Sequence, residues 1–184
     1  MDMVVNHTSD QHAWFQESCK SKHNSKRNFY IWRDQPIGNP SNWTYDSQTN
    51  QYYYHLFSPQ QPDLNWENKE VRQQIYQMMN FWLDKGISGF RLDVIDLIGK
   101  QVDKEVTVNG PHLHDYLQEM HEATFGKRDC LVVGEAWSSS PELAKLYSAP
   151  ERKELSMVFG FWHILTSAGN GDKWNKTSFK CTKN

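Results

Sequence analysis

The chain has 184 residues, a formal net charge of −2 and 38% apolar residues, which is enough for one sizeable core. The near-neutral charge offers no basic surface for nucleic acid and no polybasic membrane patch. No apolar run approaches the ~20 residues of a membrane span, and the amino terminus lacks a signal peptide, so a cytoplasmic setting is expected. Three widely spaced cysteines form neither a metal-ligand pattern nor a disulfide framework.

The first predicted element is a short strand at residues 1–7, where the apolar Met3, Val4 and Val5 precede a polar end. His7 lies at that polar end. A lone histidine after a strand is commonly a turn residue with satisfied hydrogen bonds, and this alternative stays open on the residues alone.

Residues 8–65 form a segment of different character. Polar runs alternate there with aromatic, strand-like pieces at 28–32 and 51–57, and a loop rich in Pro, Asn, Ser and Gly covers 36–41. This alternation predicts a small, irregular insertion that contains a short antiparallel sheet. Phe57 ends the second aromatic piece, where ordinary packing would explain it.

Residues 66–167 alternate between predicted helices and strands. A helix follows Asn68, which suits an N-cap, and ends at Gly86. Its predicted core-facing stripe consists of Val71, Ile75, Met78 and Trp82. Two further helices and a strand over 154–164 continue the alternation, and this order predicts a parallel α/β sheet.

The strand predicted around residues 89–93 places two charged side chains on one face. Because side chains alternate along a strand, Arg91 and Asp93 share that face, opposite to their apolar neighbours. A nearby arginine favours the ionised form of a carboxylate, so we expect Arg91 to hold Asp93 ionised as a candidate nucleophile. The alternative is a structural ion pair at the end of a core strand.

A second apolar strand, at residues 130–134, ends in Glu135. One helix-length segment separates it from the strand of Asp93, so the two strands are expected to be parallel and to end at the same edge. Parallel sheets with intervening helices carry their chemistry at that edge. A glycosidase requires at least two carboxyl groups at its active site, one ionised and one protonated, and this edge would hold such a pair.

Four motifs stand in order along the chain. They are Asp-Met-Val-Val-Asn-His at 2–7, Gln-Pro-Asp-Leu-Asn at 61–65, Gly-Phe-Arg-Leu-Asp at 89–93 and Gly-Glu at 134–135. Together they resemble signature regions of glycoside hydrolase family 13, the α-amylase family. The second motif resembles the form found in the oligo-1,6-glucosidase subfamily, and the likeness runs from Met1 to about His163.

The resemblance implies an α/β fold that is part of a (β/α)8 TIM barrel. Residues 1–7 would supply one barrel strand, 8–65 a small insertion called domain B, and 66–167 the central βα units. A complete barrel takes ~250 residues, and the family's His-Asp motif does not follow Trp162 in these 184 residues. We therefore expect the chain alone to be inactive and poorly soluble. The polar stretch at 168–184 is expected to be disordered and to fall outside the likeness.

The resemblance also implies the reaction, a retaining hydrolysis of α-1,6-glucosidic bonds in isomalto-oligosaccharides or short dextrans. Asp93 would attack the anomeric carbon to form a covalent glycosyl-enzyme intermediate, and Glu135 would protonate the leaving oxygen and then activate water. Val94, which follows the nucleophile, matches members of the family that prefer α-1,6 over α-1,4 bonds. Trehalose-6-phosphate hydrolases and other α-glucosidases share much of the pattern and are the alternative within the family.

The same likeness assigns substrate contacts. His7 would bond to hydroxyls of the sugar being cleaved, Phe57 would line the glucose pocket, and Arg91 would lie beside the nucleophile. No cofactor or metal is implied for these residues, because a calcium loop of the family would lie in the part before Met1. The expected partner is an oligosaccharide, with no nucleic acid or membrane. A non-catalytic carbohydrate-binding or transporter-associated homologue is the alternative from another functional class, although the intact acidic residues argue against it.

Overall fold

The computed structural model describes residues 1–159 of the chain. The stretch at 168–184, expected to be disordered, lies outside the described residues. So does the end of the strand that the sequence predicts over 154–164, of which a short strand at Met157–Val158 is seen.

The described part contains seven strands and four α-helices. In chain order the strands are β1 (Asp2–Val4), β2 (Trp32–Arg33), β3 (Trp43–Asp46), β4 (Gln51–Tyr54), β5 (Gly89–Asp93), β6 (Leu131–Gly134) and β7 (Met157–Val158). The helices are α1 (Ala13–Lys20), α2 (Lys69–Asp84), α3 (Leu113–Ala123) and α4 (Pro141–Ser148).

The central sheet consists of β1, β5, β6 and β7, in that order, and every neighbouring pair is parallel. Helix α3 connects β5 to β6, and α4 connects β6 to β7. Parallel strands need such crossovers because the chain must return to the same end of the sheet before it continues. The predicted parallel α/β sheet is therefore confirmed, and the carboxyl ends of β5 and β6 lie side by side.

The two faces of this sheet differ. Leu92 and Val132 are fully buried on one face, where they belong to the main core with residues of the helices. On the opposite face Leu131 is 56% exposed. Because side chains alternate along β5, Arg91 and Asp93 also project from this open face. Within residues 1–159, this parallel sheet is packed by helices on one face and partly exposed on the other, which is the form of a section of barrel wall.

Helix α2 shows how the sequence builds the packed face. The Asn68 side chain accepts a hydrogen bond from the Glu70 N–H (2.9 Å) and caps the helix. Gly86 follows its end with φ +92°, a value that favours glycine. The buried stripe contains Val71, Ile75, Met79 and Leu83. The sequence predicts Met78 in this stripe, but Met78 is exposed, because steps of four residues from Val71 lead to Met79.

The longest of the four α-helices, α2, has 16 residues. Within residues 1–159, no helix combines the length and the apolar character that a membrane crossing requires.

The insertion contains a short antiparallel sheet, as predicted. The sheet has three strands in the order β2-β4-β3. The buried guanidinium of Arg27 stacks on the ring of Trp32 (3.4 Å) and donates to the carbonyl of Ser18 (2.8 Å). Helix α1 was not predicted, because it is short and its N-cap is His12, a residue that rarely serves as one.

The open sheet face predicts that the isolated 184-residue chain self-associates. Leu131 exposes apolar surface there, and the outer edges of β1 and β7 have no neighbouring strand within the described part. We expect size-exclusion chromatography with light scattering to show oligomers, and Leu131→Lys to raise the monomer fraction. Leu146→Lys is the matched control, because Leu146 is 39% exposed but lies on α4. A chain that is monomeric at every concentration, or that responds equally to both substitutions, would contradict this.

Candidate active site

The two carboxyl residues lie at the ends of adjacent strands. Asp93 is the last residue of β5, and Glu135 follows the last residue of β6, with Leu92 paired to Gly134 in the register. The Glu135 N–H donates to the carbonyl of Leu92 (2.9 Å), and the Ile95 N–H donates to the carbonyl of Glu135 (2.9 Å). The backbone of Glu135 is therefore held on both sides by β5 and the residues that follow it.

One guanidinium group joins the two carboxyl groups. Arg91 Nη1 donates to Asp93 Oδ1 (2.5 Å) and to Asp2 Oδ1 (2.9 Å), while Arg91 Nη2 donates to Glu135 Oε2. The planar fork of an arginine fixes the position of two acceptors at once. The structure therefore brings together the three residues that the sequence places on neighbouring strand ends.

Opposing effects act on the pKa of Asp93. Burial raises the pKa of Asp93, the hydrogen bond and charge of Arg91 act against this, and the neighbouring Glu135 carboxyl raises it further. Arg91 favours the ionised form as predicted, but burial outweighs it and the net direction of the Asp93 pKa is upward. That Asp93 is ionised stays a prediction. An arginine shared among three carboxylates gives each one less than a full partner, whereas burial acts on Asp93 undiminished.

Glu135 is nearly buried, with 11% of its side chain exposed. The indole Nε1 of Trp137 donates to Glu135 Oε1 (2.8 Å), and the Val94 N–H lies 3.3 Å from Glu135 Oε2. Each oxygen of this carboxyl group thus has its own donor. The orientation of the group depends on the loop that carries Trp137.

Val94 turns the chain sharply at the end of β5. Its backbone is left-handed, with φ 38° and ψ 49°, a conformation that costs a β-branched residue about 1–3 kcal/mol. The turn separates Asp93 from the following short 3₁₀ helix, Ile95–Leu97. Backbone strain at such a position is commonly found at functional sites.

A cleft of about 430 Å³ lies beside the carboxyl pair. Its lining residues are Leu56, Phe57, Val94, Asp96, Leu97, Val108, Trp137 and Ser138. Phe57 is 49% exposed and meets the edge of the His7 ring at 5.5 Å between centroids. Phe57 is therefore not a packed core ring. Of the four residues expected to bind substrate, Phe57 and Val94 line this cleft, whereas His7 and Arg91 do not.

His7 is buried, and its ring nitrogens contact two side-chain amides. Burial lowers the pKa of His7, although the charges of Asp63 and Asp93 act against this. Asn6 Oδ1 accepts from Lys100 Nζ (2.6 Å), so Asn6 Nδ2 faces His7 Nδ1 (3.2 Å). His7 Nε2 in turn lies 3.0 Å from Gln61 Nε2, so each ring nitrogen of His7 contacts a side-chain amide.

The Asn6 side chain that contacts His7 is held in place by a buried ion pair. Lys100 Nζ lies 3.0 Å from Asp63 Oδ2, and neither side chain is more than 2% exposed. Asp63 Oδ1 also accepts from the Leu56 N–H (3.1 Å), and Oδ2 from Asn6 Nδ2 (3.3 Å). Asp63 thus connects the insertion to the central sheet.

Three residues of the site were not singled out from the sequence. Lys100 and Asp96 are charged residues in an otherwise apolar run after β5, and Trp137 follows the candidate acid by two residues. A charge within an apolar run is the signal that was available, because buried charges require partners. The identity of those partners could not be predicted, since Lys100 and Asp63 are far apart in the chain.

Comparison with known proteins agrees with this geometry. The model of the α-amylase catalytic-domain family matches residues 1–184. The chain belongs to the α-amylase family, and its four-stranded parallel sheet is part of a TIM barrel. The matched range includes residues 168–184, where we expected the likeness to end.

Individual proteins and a solved structure are also similar to this chain. A glucan 1,6-alpha-glucosidase of Streptococcus dysgalactiae subsp. equisimilis is 59% identical over 181 residues, which cover 95% of this chain and 34% of the relative. An oligo-1,6-glucosidase of Bacillus cereus is 48% identical over 199 residues, covering 95% of this chain and 36% of the relative. The solved trehalose-6-phosphate hydrolase of Bacillus licheniformis superposes with a TM-score of 0.84 at 40% identity, covering 95% of this chain and 35% of that one. The chain spans about a third of the length of the curated relatives it matches.

The buried ion pair yields a stability prediction. It is tested in a hybrid enzyme in which this chain replaces the matching segment of the Streptococcus dysgalactiae relative. Lys100→Met leaves Asp63 buried without its cation, which costs about 3–5 kcal/mol, so we expect a clear fall in the thermal unfolding midpoint. Lys20→Met is the control, because the Lys20–Glu17 pair is exposed and contributes at most about 1 kcal/mol. Equal midpoints for the two variants would refute the structural role of Lys100.

Proposed function

We propose that this chain carries the catalytic pair of a retaining α-glucosidase that hydrolyses α-1,6-glucosidic bonds of isomalto-oligosaccharides or short dextrans. The observation that carries the proposal is the shared guanidinium, which holds the carboxyl groups of Asp93 and Glu135 together at the carboxyl ends of two parallel strands. Retaining glycosidases need two carboxyl groups close enough for one of them to reach the anomeric carbon directly.

Each residue has a defined part in the proposed reaction. In the first step, a carboxylate oxygen of Asp93 bonds to the anomeric carbon, the glycosidic C–O bond breaks, and Glu135 transfers its proton to the leaving oxygen. In the second step, Glu135 removes a proton from water as the water oxygen bonds to the anomeric carbon and Asp93 leaves. Two inversions at one carbon give net retention.

The two carboxyl groups influence each other's charge, and Arg91 contacts both of them. Two neighbouring carboxyl groups repel each other when both are ionised, and this is reflected in the raised pKa of Asp93, to which burial contributes most. A single proton shared by the pair gives one nucleophile and one acid. Arg91 contacts both groups and stabilises the charge that remains.

Two features support sugar recognition beside the pair. The imidazole of His7 is a hydrogen-bonding group for a sugar hydroxyl, and the aromatic and aliphatic wall formed by Phe57 and Val94 offers an apolar surface for a sugar ring. Val94 supports the preference for α-1,6 bonds through the resemblance to oligo-1,6-glucosidases. The names of the curated relatives, glucan 1,6-alpha-glucosidase and oligo-1,6-glucosidase, support the same substrate class.

The proposal concerns the whole enzyme of which these residues are about a third by length. The chain alone is proposed to be inactive, because the transition-state-stabilising aspartate of the family's His-Asp motif is not found in it. The cytoplasmic setting stays a prediction from the sequence. A trehalose-6-phosphate hydrolase is the second candidate, because a solved enzyme of that name superposes closely.

The hybrid enzyme tests the reaction. We expect it to release glucose from isomaltose, Asp93→Ala to abolish turnover, and Glu135→Gln to lower kcat/KM by about 10²–10⁴-fold because it can no longer donate a proton. Asp115→Asn is the control, since Asp115 is exposed on α3.

Assays of maltose and trehalose 6-phosphate alongside isomaltose decide the substrate. Faster turnover of either competitor than of isomaltose would contradict the α-1,6 assignment. Hydrolysis that survives Asp93→Ala would contradict the catalytic pair itself, and no hydrolysis of any of the three sugars would favour a non-catalytic homologue.

A further inference from the structure

The buried carboxylate of Asp96, which is not part of the catalytic pair, connects the segment after β5 to the loop after β6. We propose that Asp96 is a positioning residue for Glu135, acting by anchoring the loop that follows β6 at Ser138. This inference rests on the proposed function, because it assigns Asp96 a part in the same reaction. Asp96 itself touches neither Glu135 nor Asp93 by any hydrogen bond among the described residues.

The position of Asp96 follows from the turn at the end of β5. After the left-handed Val94, the short 3₁₀ helix Ile95–Leu97 directs the Asp96 side chain toward the neighbouring loop. There Asp96 Oδ2 accepts from both the N–H (3.1 Å) and the Oγ (2.6 Å) of Ser138. Asp96 is 1% exposed. A buried carboxylate is costly to desolvate, so two donors on one oxygen indicate a strong and specific attachment.

A third segment supports the attachment. The Asn109 N–H donates to the backbone carbonyl of Asp96 (2.9 Å), and Asn109 Nδ2 donates to Ser138 Oγ (2.8 Å). The hydroxyl of Tyr147, on α4, donates in turn to Asn109 Oδ1. Ser138 Oγ therefore accepts one hydrogen bond and donates another, which fixes the hydroxyl and leaves the loop little freedom to move.

The anchored loop controls the orientation of the acid. Only Ala136 and Trp137 separate Glu135 from Ser138. The backbone of Glu135 is fixed by the Ile95 N–H, and the far end of the loop is fixed by Asp96. Between these two points lies Trp137, whose Nε1 donates to Glu135 Oε1 (2.8 Å). Release of Ser138 would therefore displace the donor that orients the acid's carboxyl group.

The positioning role of Asp96 predicts different effects on two classes of substrate. A misplaced acid slows the cleavage of substrates whose leaving oxygen needs a proton, while a leaving group that departs as a stable anion needs none. A general loss of folded enzyme would slow both classes equally. The ratio of kcat/KM between isomaltose and 2,4-dinitrophenyl α-glucoside therefore separates positioning of Glu135 from structural damage.

The experiment compares Asp96→Ala, Asp96→Asn and the control Asp115→Ala in the hybrid enzyme. We expect Asp96→Ala to lower kcat/KM for isomaltose by about 10²-fold, the size of effect that a misplacement of about 1 Å produces. The loss for the dinitrophenyl glucoside should be several-fold smaller. Asp96→Asn keeps one acceptor for Ser138 and should recover most of the activity, and the exposed Asp115→Ala should change neither substrate.

Equal losses on both substrates, or no loss at all, would overturn the role of Asp96. A parallel measurement of amide hydrogen exchange tests the anchor directly: Asp96→Ala should accelerate exchange at Ser138, and unchanged exchange would also overturn the inference. If the unaltered hybrid hydrolyses neither substrate, the proposed function fails, whereas faster exchange would still establish the anchor.

Discussion

The arrangement of the site depends on the position of one guanidinium group. Arg91 contacts Asp2, Asp93 and Glu135, one residue from each of three adjacent strands or their ends. Parallel pairing makes this possible, because it aligns the carboxyl ends of β5 and β6 and places Arg91 two residues before Asp93 on the same face. Without this cation, two largely buried carboxyl groups would repel each other across the strand ends.

Beyond the strand ends, buried polar contacts replace the regular hydrogen bonds of the sheet. The pair Lys100–Asp63 holds the insertion against the sheet and fixes the Asn6 amide that faces His7. Asp96 fixes the loop after Glu135 in a comparable way. Breaking either contact would leave a buried charged group without its hydrogen-bond or ion-pair partner, so both contacts are costly to lose.

The features that the sequence predicted correctly depend on local periodicity and on the order of the elements along the chain. The alternation of strands and helices predicted the parallel sheet, and alternation within β5 predicted the common face of Arg91 and Asp93. The features that the sequence did not predict depend on contacts between distant residues. The partner of Lys100 is 37 positions away at Asp63, and the net rise in the pKa of Asp93 arises from burial that only the folded chain defines.

The central claim is that Asp93 and Glu135 are held close enough for direct attack on the anomeric carbon. The stereochemistry of the first product tests it most directly, because carboxyl groups ~5–5.5 Å apart retain the configuration and groups ~6.5–9.5 Å apart invert it. Proton NMR of isomaltose hydrolysis by the hybrid enzyme should show α-glucose appearing first, before mutarotation. Initial release of β-glucose would contradict the account.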